Sequence, residues 1–263
     1  MDLDASASPQ LVLGDDLSPG ADLAWLWTNS QRWPGWTLVD LQADPPTYSD
    51  TGTDPTARPV EGPPPRIAYR EAAFAEVRFM VAAADPRVAL GAWPDADLVV
   101  VGGSSSGVGP RYIGSTTEWL LHDPSNAVIV ARRGRTVRSA LVCADGSPHA
   151  SSAADVLATM PWAGEVDVEV LAVDDGRTDG DAAIDAVVAV LEDRVGSLER
   201  SVRSARTPHR AILSRAQETD ADLVVLGTHG LSTLRRLTLG STANAVAQLS
   251  DSSVLVSRAP NTR

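Results

Sequence analysis

The chain has 263 residues, 22 basic and 34 acidic, giving a net charge of −12 and a pI near 4.7. Its 43% hydrophobic and 21% charged residues are ordinary for a globular protein, and domains of roughly 100–200 residues make it one large domain or two small ones. Every basic residue is arginine, which excludes a Walker-type phosphate loop and a Schiff-base lysine; the acidic balance argues against nucleic acid, and one cysteine, Cys143, excludes an intramolecular disulfide and a cysteine-rich zinc site.

Met1-Asp2-Leu3-Asp4 is acidic and lacks the basic-then-apolar pattern of a secretory signal. No apolar run approaches the ~18 residues of a membrane span, so a cytoplasmic protein is expected. Candidate strands come first at 10–14 and 37–41. Trp25, Trp27, Trp33 and Trp36 gather around the first helix and second strand, where large aromatics more often fill core or a domain interface than stack on a base. The segment 44–65 holds seven prolines with Gly, Thr and Asp; it cannot bury a core and reads as a surface insertion displacing a helix. Strands resume at 76–81, 97–101 and 127–131, and Arg132-Arg133-Gly134-Arg135-Thr136 reads as a linker.

The second half repeats the plan. Short β-branched runs at 138–144, 166–173, 222–226 and 253–257 have the character of buried strands, with a weaker one at 200–205. Between them, Ile184, Val187, Val188, Leu191, Val195 and Leu198 follow helical spacing over 181–198, and 208–218 and 241–249 are further helical candidates. Strands alternating with helices imply a parallel sheet covered on both faces, with ligands bound beyond the carboxyl ends of its strands.

The halves are related by sequence. Asp95-Ala96-Asp97-Leu98-Val99-Val100 recurs as Asp220-Ala221-Asp222-Leu223-Val224-Val225, and Gly114-Ser115-Thr116 as Gly240-Ser241-Thr242. Leu11-Val12-Leu13-Gly14-Asp15 is set against Leu141-Val142-Cys143-Ala144-Asp145. Blocks in one order at nearly one offset mark a tandem repeat. Two domains are expected, at 9–131 (carrying the insertion 44–65) and 137–258.

The sharpest chemistry is Val225-Leu226-Gly227-Thr228-His229-Gly230, followed after nine residues by Gly240-Ser241-Thr242. Glycines admit close approach of a ligand to the backbone. A helix start with hydroxyls then offers unpaired N–H groups to a phosphate chain. This constellation, with Asp145-Gly146-Ser147 and the strand ending Leu171-Ala172-Val173-Asp174, resembles the ATP-binding signature of the universal stress protein family. The resemblance covers 137–258 well and 9–131 more weakly through the repeat.

The resemblance implies an α/β fold of two tandem, doubly wound, five-stranded parallel-sheet domains, adenine nucleotide alpha hydrolase-like. Strands 127–131 and 253–257 would pair to pack them as an internal pseudo-dimer. It implies ATP as the bound cofactor, with Mg2+, at a site of Ala144, Asp145, Val173, Leu226, Gly227, His229, Gly230, Gly240, Ser241 and Thr242. Asp145 and the Val173 backbone would meet adenine or ribose, Leu226 and Gly227 would line the nucleoside, and Gly230 and Gly240 through Thr242 would surround the phosphates. His229 is placed to reach the phosphate–magnesium end; the alternative is a solvent-exposed loop histidine. For Asp145 the alternative is a cap on the following helix.

The first half departs from the pattern. Ser105 stands at the second glycine, the loop is one residue shorter, and Pro110 removes a backbone donor. Its role is expected to be structural. No paired nucleophile and base and no metal-binding cluster is evident, so catalysis beyond slow ATP hydrolysis is not expected. The chain reads as a nucleotide-dependent stress-response regulator with adenine nucleotide, an unidentified protein partner and a possible second copy as partners. An adaptor of the same fold without nucleotide dependence is the alternative.

Overall fold

A computed structural model describes residues 8–43, 60–61, 73–93, 96–103, 113–122, 126–176, 179–229 and 239–259. The insertion 44–65 lies outside them except for Val60–Glu61, and so do Gly230, Ser105 and Pro110. The first half runs β1 (Gln10–Gly14), α1 (Pro19–Ser30), β2 (Trp33–Ala43), β3 (Val60–Glu61), β4 (Phe74–Ala82), α2 (Pro86–Gly91), β5 (Ala96–Gly102), α3 (Ser115–His122) and β6 (Ala127–Ala131). The second runs β7 (Ser139–Ala144), α4 (Pro148–Thr159), β8 (Asp167–Asp174), α5 (Gly180–Leu191), β9 (Ser197–Ser204), α6 (Pro208–Glu218), β10 (Leu223–Gly227), α7 (Ser241–Leu249) and β11 (Ser253–Ser257).

All the strands form one sheet in the order β3-β4-β2-β1-β5-β6-β11-β10-β7-β8-β9. Within each half the five long strands are parallel; only the two-residue β3 runs antiparallel, on the outer edge of β4. The halves meet where β6 and β11 pair antiparallel, Val130 opposite Val254 and Val128 opposite Val256. This is the expected α/β pseudo-dimer. Continuous apolar runs such as Leu98–Val101 and Val254–Val256 suit strands covered on both faces. One face packs on α1, α4 and α5, the other on α2, α3, α6 and α7.

The repeated Asp-Ala-Asp-Leu-Val-Val block has a physical purpose. The carboxylate of Asp97 accepts from Gln10 N–H at 2.8 Å, and that of Asp222 from Ser139 N–H at 3.0 Å. Each thereby pins the start of the neighbouring strand. Helices start where a side chain satisfies the first free N–H groups: Ser18 caps α1, Asp85 α2, Ser147 α4 and Asp179 α5.

Trp27 and Trp33 meet Trp162 of the other half edge-to-face, at centroid distances of 6.2 and 5.9 Å. The linker is also fixed: Gln31 donates to Arg135 O and accepts from Val137 N–H, while Arg133 and Arg135 pair with Asp220 and Asp222.

Two expectations are corrected. The helix over 181–198 ends at Leu191, because Asp193 turns the chain at φ 64° and β9 begins at Ser197. Val195 and Leu198 still pack on the same core, which is why helical spacing overshoots. The match of Asp15 to Asp145 is one residue out of register. Leu98 pairs with Leu11 and Val100 with Leu13, whereas their repeats Leu223 and Val225 pair with Ala140 and Val142. Leu13 is therefore equivalent to Val142, and Asp16 to Asp145. The turns agree: Asp16 accepts Ser18 N–H at 3.0 Å as Asp145 accepts Ser147 N–H at 2.9 Å, with Leu17 (φ 60°) and Gly146 (φ 76°) between.

Candidate functional site

In the second half the carboxyl ends of β7, β8 and β10 and the start of α7 lie on one rim of the sheet. β7 ends in buried Ala144, and half-buried Asp145 follows. The Asp145 side chain closes a turn onto Ser147 N–H, and Ser147, rather than Asp145, caps α4 by accepting Ala150 N–H at 3.2 Å. The capping alternative for Asp145 is thus replaced by a turn that presents it at the rim. Val173 sits half-buried near the end of neighbouring β8, and Leu226 is buried at the end of β10.

Gly227 has a close-approach role. A Cβ there would fall 2.6 Å from the backbone carbon of His149, so the first turn of α4 reaches the strand end only over a glycine. The chain then passes Thr228, whose N–H donates to Ser257 O at 2.9 Å, and His229, whose carbonyl accepts Ser147 Oγ at 3.0 Å. It returns at Gly240, whose N–H donates to Thr228 O at 2.8 Å. Both ends of the loop are thereby held together.

Gly240 is the N-cap of α7 and offers no side chain, so among the described residues no side chain caps the first turn of this nine-residue helix. Ser241 is exposed there and Thr242 half-buried. Free N–H groups with the positive end of the helix dipole form an anion site. A Cβ at Gly240 would stand 3.0 Å from Thr228 O, filling the space beside that cradle.

His229 is not an exposed loop histidine. It is 7% exposed, its Nδ1 lies 3.0 Å from Thr228 Oγ1, and its ring faces His149 at 5.5 Å. Burial first, then His229 and Arg258, hold His149 below the usual histidine range, against Asp145. The sequence pattern includes Ser147 in Asp145-Gly146-Ser147 without giving it a role at the site, and it misses His149. Ser-Pro before a helical run was the available signal for Ser147; nothing in the sequence marks His149.

Cys143 is one residue from the rim, but burial and the carboxylates of Asp145 and Glu169 push its thiol far up, so it holds its proton. Among the described residues no group of three or more His, Cys, Asp or Glu could hold a metal ion.

The corresponding rim of the first half carries an open cleft lined by Asp15, Asp16, Ser18, Leu90, Gly102 and Ser115 among others. Gly102 packs as Gly227 does, its virtual Cβ only 2.2 Å from Gly20 O. Asp15, however, puts a carboxylate where the second half has Ala144.

Residues 136–258 match the sequence profile of the universal stress protein family. Residues 136–258 are thus a universal stress protein family domain. Universal stress protein Slr1230 of Synechocystis sp. is 24% identical over 171 residues, 62% of this chain, and the match spans 58% of that protein. A universal stress protein from Archaeoglobus fulgidus covers 96% of this chain with 99% of its own, at TM-score 0.66 and 21% identity. A putative universal stress protein from Pseudomonas aeruginosa covers 96% with 94% of its own, at 0.59 and 17%. These likenesses over the whole chain show the fold, which is adenine nucleotide alpha hydrolase-like in both halves. No helix among the described residues is long and apolar enough to cross a membrane.

Proposed function

We propose that this universal stress protein binds ATP in its second half and acts as a nucleotide-dependent stress-response regulator. The observation that carries the reading is the uncapped start of α7, with Gly240 closed onto Thr228 and the Ser241 and Thr242 hydroxyls at its mouth. Helices α1, α2, α4 and α5 satisfy a first-turn N–H with a serine or aspartate side chain, whereas α7, like α6, has no such cap, and of these two it is α7 that follows the glycine loop after β10. Phosphates would lie there, and Asp145 and the Val173 backbone would take the adenosine end at the neighbouring strand ends. Magnesium would arrive on the phosphates. Domain one (9–131) is proposed as the structural partner, since Asp15 places negative charge on the rim of its cleft. A dimer of whole chains would need a surface other than β6 and β11, which pair with each other.

The test is equilibrium binding of Mg-ATP to the purified protein and to Ser241→Glu. A carboxylate in the first turn favours the helix, so the variant keeps its fold while its charge opposes phosphate. We expect saturable binding by the wild type and at least about tenfold weaker binding by the variant. Equal binding by both would contradict the reading.

A further inference from the structure

The segment leaving β11 is tied to the proposed nucleotide loop through one imidazole. His149 is the second residue of α4, and its Nδ1 accepts the N–H of Ala259 at 2.9 Å. An accepting Nδ1 carries no proton, so the ring is neutral and protonated on Nε2. Its neighbour His229 opens the loop after β10, at a ring distance of 5.5 Å. Ser147 holds the His229 carbonyl and Ser257 holds the Thr228 N–H, while Ser152 Oγ donates to Arg258 O at 3.2 Å. The exit of β11, the start of α4 and both ends of the loop therefore converge on the two histidines. The first half does without this arrangement: Gly20 occupies the position of His149 beneath Gly102.

Among the described residues three ionisable groups act on His149. His229 from the loop and Arg258 from the β11 exit oppose a charge on it, and Asp145 from the β7 turn favours one. A proton on Nδ1 would set two donors, Nδ1–H and Ala259 N–H, against each other at a hydrogen-bonding distance, and they must separate. It would also bring a cation against Arg258.

We propose that His149 is a positioning residue that fastens the β11 exit to the nucleotide loop, and that protonation of its Nδ1 undoes this fastening and weakens nucleotide binding as pH falls. The affinity half rests on the nucleotide reading above; the fastening does not.

The test compares the full chain with His149→Asn, whose Oδ1 can accept from Ala259 N–H but cannot take a proton. Hydrogen-exchange protection of the Ala259 amide, read by NMR without nucleotide at about pH 7.5 and about pH 5, should drop about tenfold in the wild type and stay level in the variant. The ratio of Mg-ATP affinities, wild type over variant, cancels the titration of the nucleotide itself. It should fall about fivefold or more over the same range. Unchanged Ala259 protection in the wild type, or an affinity ratio that is level or rises on acidification, would overturn the proposal. Failure of both proteins to bind Mg-ATP at about pH 7.5 would sink the nucleotide reading and the affinity half with it, and the amide result would still decide the fastening.

Discussion

Asp40 shows how far one residue can depart from what its fold needs. It lies in β2 between Leu13 of β1 and Phe79 of β4, 1% exposed, and neither carboxylate oxygen is hydrogen-bonded. Burial first, and the Asp15 charge second, push its pKa up to about 8. Asp15 itself is held by Leu17 N–H and the Trp25 indole N–H. In the second half the equivalent positions are Val170 and Ala144, both apolar, so the sheet does not require the pair.

The direction of the pH effect follows. Folded Asp40 keeps its proton to about pH 8, whereas in the unfolded chain it ionises near 3.8. Across that window the folded state binds more protons, so stability falls as pH rises and levels off above about pH 8. Asp40→Val should flatten this decline and stabilise the protein by a few kcal/mol at about pH 9. Urea unfolding at about pH 6 and pH 9 measures it, and parallel pH dependence in both proteins would contradict the assignment.

At the scale of elements, the glycines ending β5 and β10 set how closely α1 and α4 approach the sheet. Gly102→Ala would drive a methyl into the backbone of Gly20, which cannot swing aside, whereas Gly164 has open space around it. We expect Gly102→Ala to cost about 2 kcal/mol or more and Gly164→Ala less than about 0.5 kcal/mol in thermal unfolding. Equal costs would show that the helix spacing is not set there.

The same elements show what was legible in the sequence. Buried strands such as Leu223–Gly227 and Ser253–Ser257 are legible nearly to the residue, because unbroken β-branched runs admit few alternatives. The end of α5 was not, since Val195 and Leu198 keep apolar spacing after the chain has left the helix. β2 begins at Trp33 rather than 37, across a register irregularity around Gly35 at φ 80° that no periodicity reveals. The β1 match slipped by one because Gly14-Asp15 imitates Ala144-Asp145; Asp16-Leu17-Ser18-Pro19 against Asp145-Gly146-Ser147-Pro148 carries the true register. At the site, glycine spacing marked the loop and the α7 start. The inward turn of His229 and the role of His149 depend on contacts between elements distant in sequence, which spacing cannot convey.

For the whole molecule, the antiparallel β6–β11 joint makes one continuous sheet of two related halves, and Trp162 wedged against Trp27 and Trp33 ties their cores. Such pairing uses the edges that would otherwise be exposed and places the two rims at opposite ends of the strand direction. One rim ends in an uncapped helix behind a glycine loop; the other carries Asp15 and Asp16 at its cleft. On the proposed function, these related halves have diverged into one nucleotide site and one structural partner. The most direct test of this division is to denature the freshly purified protein, loaded with Mg-ATP and desalted, and count the nucleotide released per chain by chromatography and mass spectrometry, beside Gly240→Val. One ATP per chain, lost in the variant, is expected; none, or two, would show that the halves have not divided the work in this way.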